Sequence, residues 1–218
     1  MKAHKGLAVA LLVIGLITGC SKESAKHPGN APAQEVPQPT AHVKDGAVPV
    51  GPGPQSNYSV QAQPAPGSCH YRKTSDGQPL PDPACTPGAT NPKVTAANLA
   101  ETICKSGYTA TIRPGTSVTN TEKVANAKSY DYTGDLKDAE YDHLISLELG
   151  GDPDDPRNLW VEPPSPGHQA GAGPNNPKDG VEGKLHTLVC GGKVALADAQ
   201  SAIATDWTTA LAKVGFPS

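Results

Sequence analysis

Tyr141-Asp142-His143-Leu144-Ile145-Ser146-Leu147-Glu148-Leu149-Gly150-Gly151 is the stretch on which the reading of this chain turns, with two segments behind it: Arg157-Asn158-Leu159-Trp160-Val161 and Asn176-Pro177-Lys178-Asp179-Gly180-Val181-Glu182. The first is rich in strand formers from Tyr141 to Leu149 and stops at a glycine pair; Asn158 to Val161 reads as a second short strand, stopped by Pro163-Pro164. The third opens a helix. Asn176 serves as N-cap, Pro177 supplies the first helical position, and Asp179 lies near the positive end of the helix dipole. Val181, Leu185, Leu188 and Val189 then share one face up to Gly191-Gly192. The order is strand, loop, strand, helix.

Around this centre the apolar spacing predicts a short helix over 94–104, a strand over 108–113 and a last helix over 196–214, with Ile203, Trp207, Ala210, Leu211 and Val214 on one stripe. Four cysteines fall in this part: Cys69, Cys85, Cys104 and Cys190. Three pairings are open. Cys69 with Cys85 would close a short Pro-rich loop, and Cys104 with Cys190 would join an early helix to a late one. A zinc site is the rival, but no Cys-x-x-Cys spacing supports it.

Asp142-His143, Gly150-Gly151, Asn158-Leu159 and Lys178-Asp179-x-x-Glu182, in this order, resemble the HNH (ββα-metal) nucleases, in a branch of exported bacterial proteins. The resemblance covers most of Cys85 to Trp207. It implies an α+β fold: a small ββα-metal core with flanking helices. It further implies Asp142 as ligand of a divalent metal, Mg²⁺ foremost with Mn²⁺, Ni²⁺ or Zn²⁺ as alternatives, and His143 as general base. Asn158 would hold the loop and orient the imidazole. The remaining ligand would come from Asn176, with Asn175, Asp179, Glu182 and His186 as alternatives, and Arg157 and Lys178 are candidates for phosphate contact. An N-cap role explains Asn176 equally well, and exposed charge is the default for Arg157 and Lys178. The family commonly has Pro where Ser146 and Val161 stand. There is also a geometric condition: neighbours in a strand point to opposite faces, so Asp142 and His143 address one site only if the loop redirects His143.

The chain has 218 residues, 23 of them Gly and 23 Pro, and 4% are aromatic. Its start is organised differently from the rest. Lys2, Lys5 and the apolar run from Leu7 to Ile17 fit an export signal over 1–19. Ile17-Thr18-Gly19-Cys20 resembles the lipobox of bacterial lipoproteins, which implies a lipid anchor at Cys20, a cell-envelope location, and the outer membrane if the cell has two. Residues 20–68, with nine prolines between Pro28 and Pro66, read as a disordered linker, leaving 69–218 as the folded domain. That domain carries 13 Lys and Arg against 18 Asp and Glu, whereas nucleic-acid binding draws on cationic surface. Two functions follow. One is a tethered, metal-dependent endonuclease acting on DNA or RNA without strong sequence specificity, with no oligomer implied. The other is a non-catalytic, metal- or ligand-binding envelope lipoprotein on the same fold.

Overall fold

In the computed structural model, which describes residues 47–217, β1 (Arg72–Lys73) pairs antiparallel with β2 (Pro79–Leu80), and the helices α1 (Tyr108–Ile112) and α2 (Thr116–Ser129) follow. A second antiparallel hairpin joins β3 (Glu140–His143) to β4 (Leu159–Glu162), with Asp142 opposite Trp160 and His143 opposite Leu159. The chain closes with α3 (Lys178–Cys190), α4 (Leu196–Thr205) and α5 (Ala210–Lys213). The structure is therefore mixed α and β, with two two-stranded sheets. The signal segment, the lipobox and Cys20 lie outside the described residues, and no helix among those described is long and apolar enough to cross a membrane.

The main core lies on the helical side. Leu185 and Val189 of α3 meet Leu196, Ala199, Ala202 and Ile203 of α4, Trp207, Leu211, and Ile145 and Leu149 from the turn after β3. Each large aliphatic side chain so buried contributes about 1.5–3 kcal/mol. A smaller cluster joins Tyr130, Leu144 and Trp160, where Tyr71 stacks on Tyr130 at 4.6 Å. Cys69 is bonded to Cys85 and Cys104 to Cys190, the pairing that closes the short Pro-rich loop and joins an early segment to the α3 helix.

Several elements differ from expectation, each for a local reason. Residues 108–112 alternate like a strand yet form a helix, entered through Gly107 in the left-handed region; Arg113 turns extended before Pro114. The helix expected over 94–104 shrinks to one turn at Leu99–Glu101. There Asn98 donates to the Lys93 carbonyl at 3.0 Å and accepts from the Thr95 amide at 2.8 Å, in competition with helical bonds. The strand expected over 141–149 ends at His143. The last helix breaks at Asp206, whose carboxylate accepts from the Thr208 amide at 2.9 Å and hydroxyl at 2.6 Å.

The linker boundary also moves. Residues 47–68 lie along the domain as an extended strap rather than a free tether. The Gly51 amide donates to the Thr90 carbonyl and the Thr90 amide to the Pro49 carbonyl, both at 2.9 Å, and the Gly53 amide donates to Asp152 at 2.6 Å. Tyr58 donates to the Ile112 carbonyl at 2.5 Å, the Gln61 amide to Glu122 at 2.7 Å, and Ser129 to the Pro64 carbonyl at 2.6 Å. A chain starting at Cys69 strips these donors from buried Asp152 and Glu122, at about 1–3 kcal/mol for each group left unmatched. Urea unfolding should show the 69–218 fragment about 3 kcal/mol less stable than the 47–218 fragment.

Candidate functional site

The hairpin β3–β4 is held between α2 and α3, and the alternation of its side chains divides the site residues between the two faces. On the α2 face the Val161 amide donates to Asn126 at 2.8 Å, and Ala127 packs on Val161 and Tyr141. His143 shares the parity of Tyr141 and lines a depression of about 270 Å³ with Arg113, Thr116, Asn120, Lys123 and Leu159. Asp142 has the other parity and reaches the first turn of α3, where it is paired with Lys178. The loop after His143 therefore does not bring the two side chains onto one face.

The loop that positions His143 is tied together by Asn158. Its side-chain amide donates to the Ile145 carbonyl at 3.0 Å and the Asp152 carbonyl at 2.9 Å, and its oxygen accepts from the Ile145 amide at 3.0 Å and the Ala89 amide at 3.3 Å. Asp152 in turn accepts from the amides of Asp154 and Asp155 at 3.0 and 2.9 Å. These bonds present the Pro153 carbonyl to His143, 3.0 Å from Nε2. A carbonyl only accepts, so Nε2 carries the proton and Nδ1 is left as the acceptor. Among the described residues Nδ1 has no hydrogen-bond partner. Burial pushes the imidazole down to about 4, although the Pro153 carbonyl and Asp142 act in the opposite direction. The ring is therefore neutral at physiological pH. Asn158 acts through the loop and is a positioning residue.

Lys178 is fully buried and occupies the space between hairpin and helix. Its ammonium contacts the Asp142 carboxylate, the Glu182 carboxylate one turn along α3 at 2.5 Å, and the His143 carbonyl at 2.8 Å. Three donors thus meet three acceptors. Burial would lower the Lys178 pKa, but Asp142, Glu182 and Glu162 override it and hold it well above its ordinary value. Burial would raise Asp142, and Lys178 instead keeps it low. Glu162 and Glu182 are both pushed up by burial, with Lys178 opposing. Neither buried oxygen of Glu162 meets a hydrogen-bond partner among the described residues.

These placements decide how each expected residue is used. Lys178 is an internal cation, not a phosphate contact. Arg157 grips Asp155 through Nε at 2.9 Å and a terminal nitrogen at 2.5 Å, and also donates to the Val50 carbonyl at 3.2 Å, so its fork is spent on the strap and loop. Asn176 donates to Glu140 at 3.1 Å and accepts from the Lys178 amide at 3.1 Å, which is the capping role. Asn175 is exposed and offers its backbone carbonyl to Ser165 at 3.3 Å. Asp179 is exposed and lines a second depression of about 320 Å³ with Glu182, Glu148 and Arg113. His186 lies two turns beyond Lys178, its Nε2 2.9 Å from the Ile103 carbonyl.

The divalent ion implied at Asp142 does not fit this arrangement, since the ammonium already fills the space its ligands would enclose. Among the described residues, the group of three ligand atoms close enough to hold an ion is Cys104, His186 and Cys190, within 4.8 Å of one another. Those two sulfurs form a disulfide, so they become metal ligands only when reduced to thiolates.

Sequence reading missed Arg113, which lines both depressions, and Lys123, whose ammonium donates to the Leu136 and Ala139 carbonyls at 2.6 and 2.7 Å. Neither belongs to a motif; they arrive through α1 and α2, which the apolar spacing did not reveal. No family model matches the chain, and neither a curated protein nor a solved structure matches it.

Two substitutions test the loop. Asn158→Ala leaves four buried backbone groups without partners and should cost about 3 kcal/mol or more in urea unfolding. Gly151→Ala should be at least as damaging, because a Cβ there would stand 1.7 Å from the Ile145 carbonyl oxygen.

Proposed function

We propose that this protein is an endonuclease hydrolysing phosphodiester bonds of DNA or RNA without strong sequence preference, with His143 as its general base. The observation that carries the reading is the placement of that imidazole: its Nε2 fixed on the Pro153 carbonyl, which leaves Nδ1 as the acceptor, in a residue that lines a depression with Arg113. The likeness to the ββα-metal nucleases supports it through element order: a histidine ends the first strand, an asparagine ties the loop, and a helix follows that is paired to the hairpin through Lys178 and Asp142.

In this reading Nδ1 takes a proton from a water whose oxygen forms the new bond to phosphorus, while the bond to the leaving ester oxygen breaks and that oxygen acquires a proton from solvent. Arg113, exposed at the meeting of the two depressions, supplies the guanidinium that holds the phosphate oxygens and offsets their developing charge. Export and a lipid anchor at Cys20 belong to the same proposal and rest on the sequence. A second reading, nucleic-acid binding without turnover, is favoured by one observation, the commitment of Asp142 to Lys178.

Plasmid DNA and single-stranded RNA offered to the purified chain distinguish the two. Cleavage should fall by about 10²–10⁴-fold in His143→Ala with the fold retained by circular dichroism, and Arg113→Ala should weaken it further through KM. Since only the neutral imidazole accepts a proton, the rate should rise with pH through about 4 and level off above it. Binding of either nucleic acid without any cleavage would establish the second reading instead.

A further inference from the structure

We propose that the Lys178 ammonium is a built-in replacement for a divalent cation between hairpin and helix, so that the site is assembled, and works, without a metal ion. The proposal rests on the endonuclease reading only for its activity arm. Its basis is geometric. Asp142 from β3 and Glu182 from α3 face each other across the space where hairpin meets helix, and the ammonium stands between them with the His143 carbonyl as its third acceptor. Hard oxygen donors converging from two elements on one point are what Mg²⁺ or Mn²⁺ would need. Here the point is taken by a cation covalently attached to the chain, on the first residue of α3 and four before Glu182.

The cation is sealed in. Lys178 has 0% exposure, and each of its three donors meets an acceptor, so it is not a side chain that swings aside cheaply. Displacing it would require moving an ammonium from an anionic enclosure and replacing it with an ion that must shed water, a reluctant step for Mg²⁺. Nor can it touch a substrate. Lys178 is therefore a positioning residue: it fixes Asp142, it holds the His143 backbone through the carbonyl, and it keeps β3 docked on α3. A metal ion would fasten the same groups, but with exchange and a dependence on concentration.

The test uses the whole chain with Mn²⁺, Mg²⁺ and Ca²⁺ against a chelator. Wild type should show no saturable divalent binding by calorimetry, no change in melting temperature, and the same cleavage rate in chelator as in Mg²⁺. Lys178→Ala removes the ammonium and leaves the carboxylates, so it should gain Mn²⁺ binding, read as a melting-temperature rise of several degrees and as an altered Mn²⁺ paramagnetic resonance spectrum. That gain should vanish in Lys178→Ala combined with Asp142→Asn. A purely structural lysine would not convert into a metal site on removal. If Lys178→Ala does not fold unaided, refolding it with and without Mn²⁺ reads the same property, recovery only with the ion being the supporting result. Divalent binding by wild type that Asp142→Asn abolishes, or cleavage that chelator stops and Mg²⁺ restores, would overturn the proposal. A wild-type chain that cleaves nothing under any condition defeats the endonuclease reading alone, because the binding and melting measurements still decide the role of Lys178.

Discussion

An ammonium with no exposure costs several kcal/mol to bury unless its charge and its three hydrogen bonds are matched. At Lys178 they are matched by groups from different parts of the chain: Asp142 in β3, the His143 carbonyl at its end, and Glu182 in α3. The hairpin and the helix are separated by the long loop between 163 and 177, which gives them no short covalent route to a fixed distance. The lysine supplies that distance. It is also intolerant of partial loss, because removing either carboxylate strands the charge and removing the lysine leaves the acids without their counter-ion. The position of the hairpin's end, and with it the His143 backbone, is held by the same ammonium.

Polar side chains do elsewhere what apolar packing does in most domains of this size. Asn158 fastens the loop between β3 and β4, Asp152 gathers that loop and the strap, Asn126 joins α2 to β4, and Glu122 receives the Gln61 amide. With 4% aromatic residues and a fifth of positions Gly or Pro, the chain forms a modest core on the α3–α4 side. Side chains accepting backbone amides, and two disulfides, organise the rest. Such networks fix one geometry because each member left unmatched in the interior is expensive.

How much of this was legible follows from the same division. The second strand, the α3 helix with its start at Asn176-Pro177, and the two disulfide pairs could be read because they rest on apolar spacing, capping residues and loop length. The helix α2 could not, since its buried residues are Glu122, Asn126, Ala127 and Ser129, and a helix whose inner face is polar carries no apolar stripe. Arg113 and Lys123 stayed hidden with it. At the site, Asn158 was legible as the holder of the loop, while the place of Lys178 was not. Its spacing of four from Glu182 looks the same on a solvated helix face as on one pressed against a carboxylate. Only the fold tells the two apart.

The charge of the domain is the place where this matters most for function. Thirteen bases against eighteen acids in residues 69–218 describe a surface that should repel nucleic acid. Yet Glu122, Asp138, Asp152, Asp154, Asp155, Glu162 and Glu182 are buried, and Lys178 is the one base buried with them. The charges that reach solvent are therefore twelve bases and eleven acids, close to balance. Some of the buried acids are answered inside: Asp152 by backbone amides and Glu182 by Lys178. A polyanion approaching the depression at His143 meets Arg113 and Lys123 as well as Glu140. The excess acid of the sequence is thus largely a property of the interior, where several of these carboxylates hold loops.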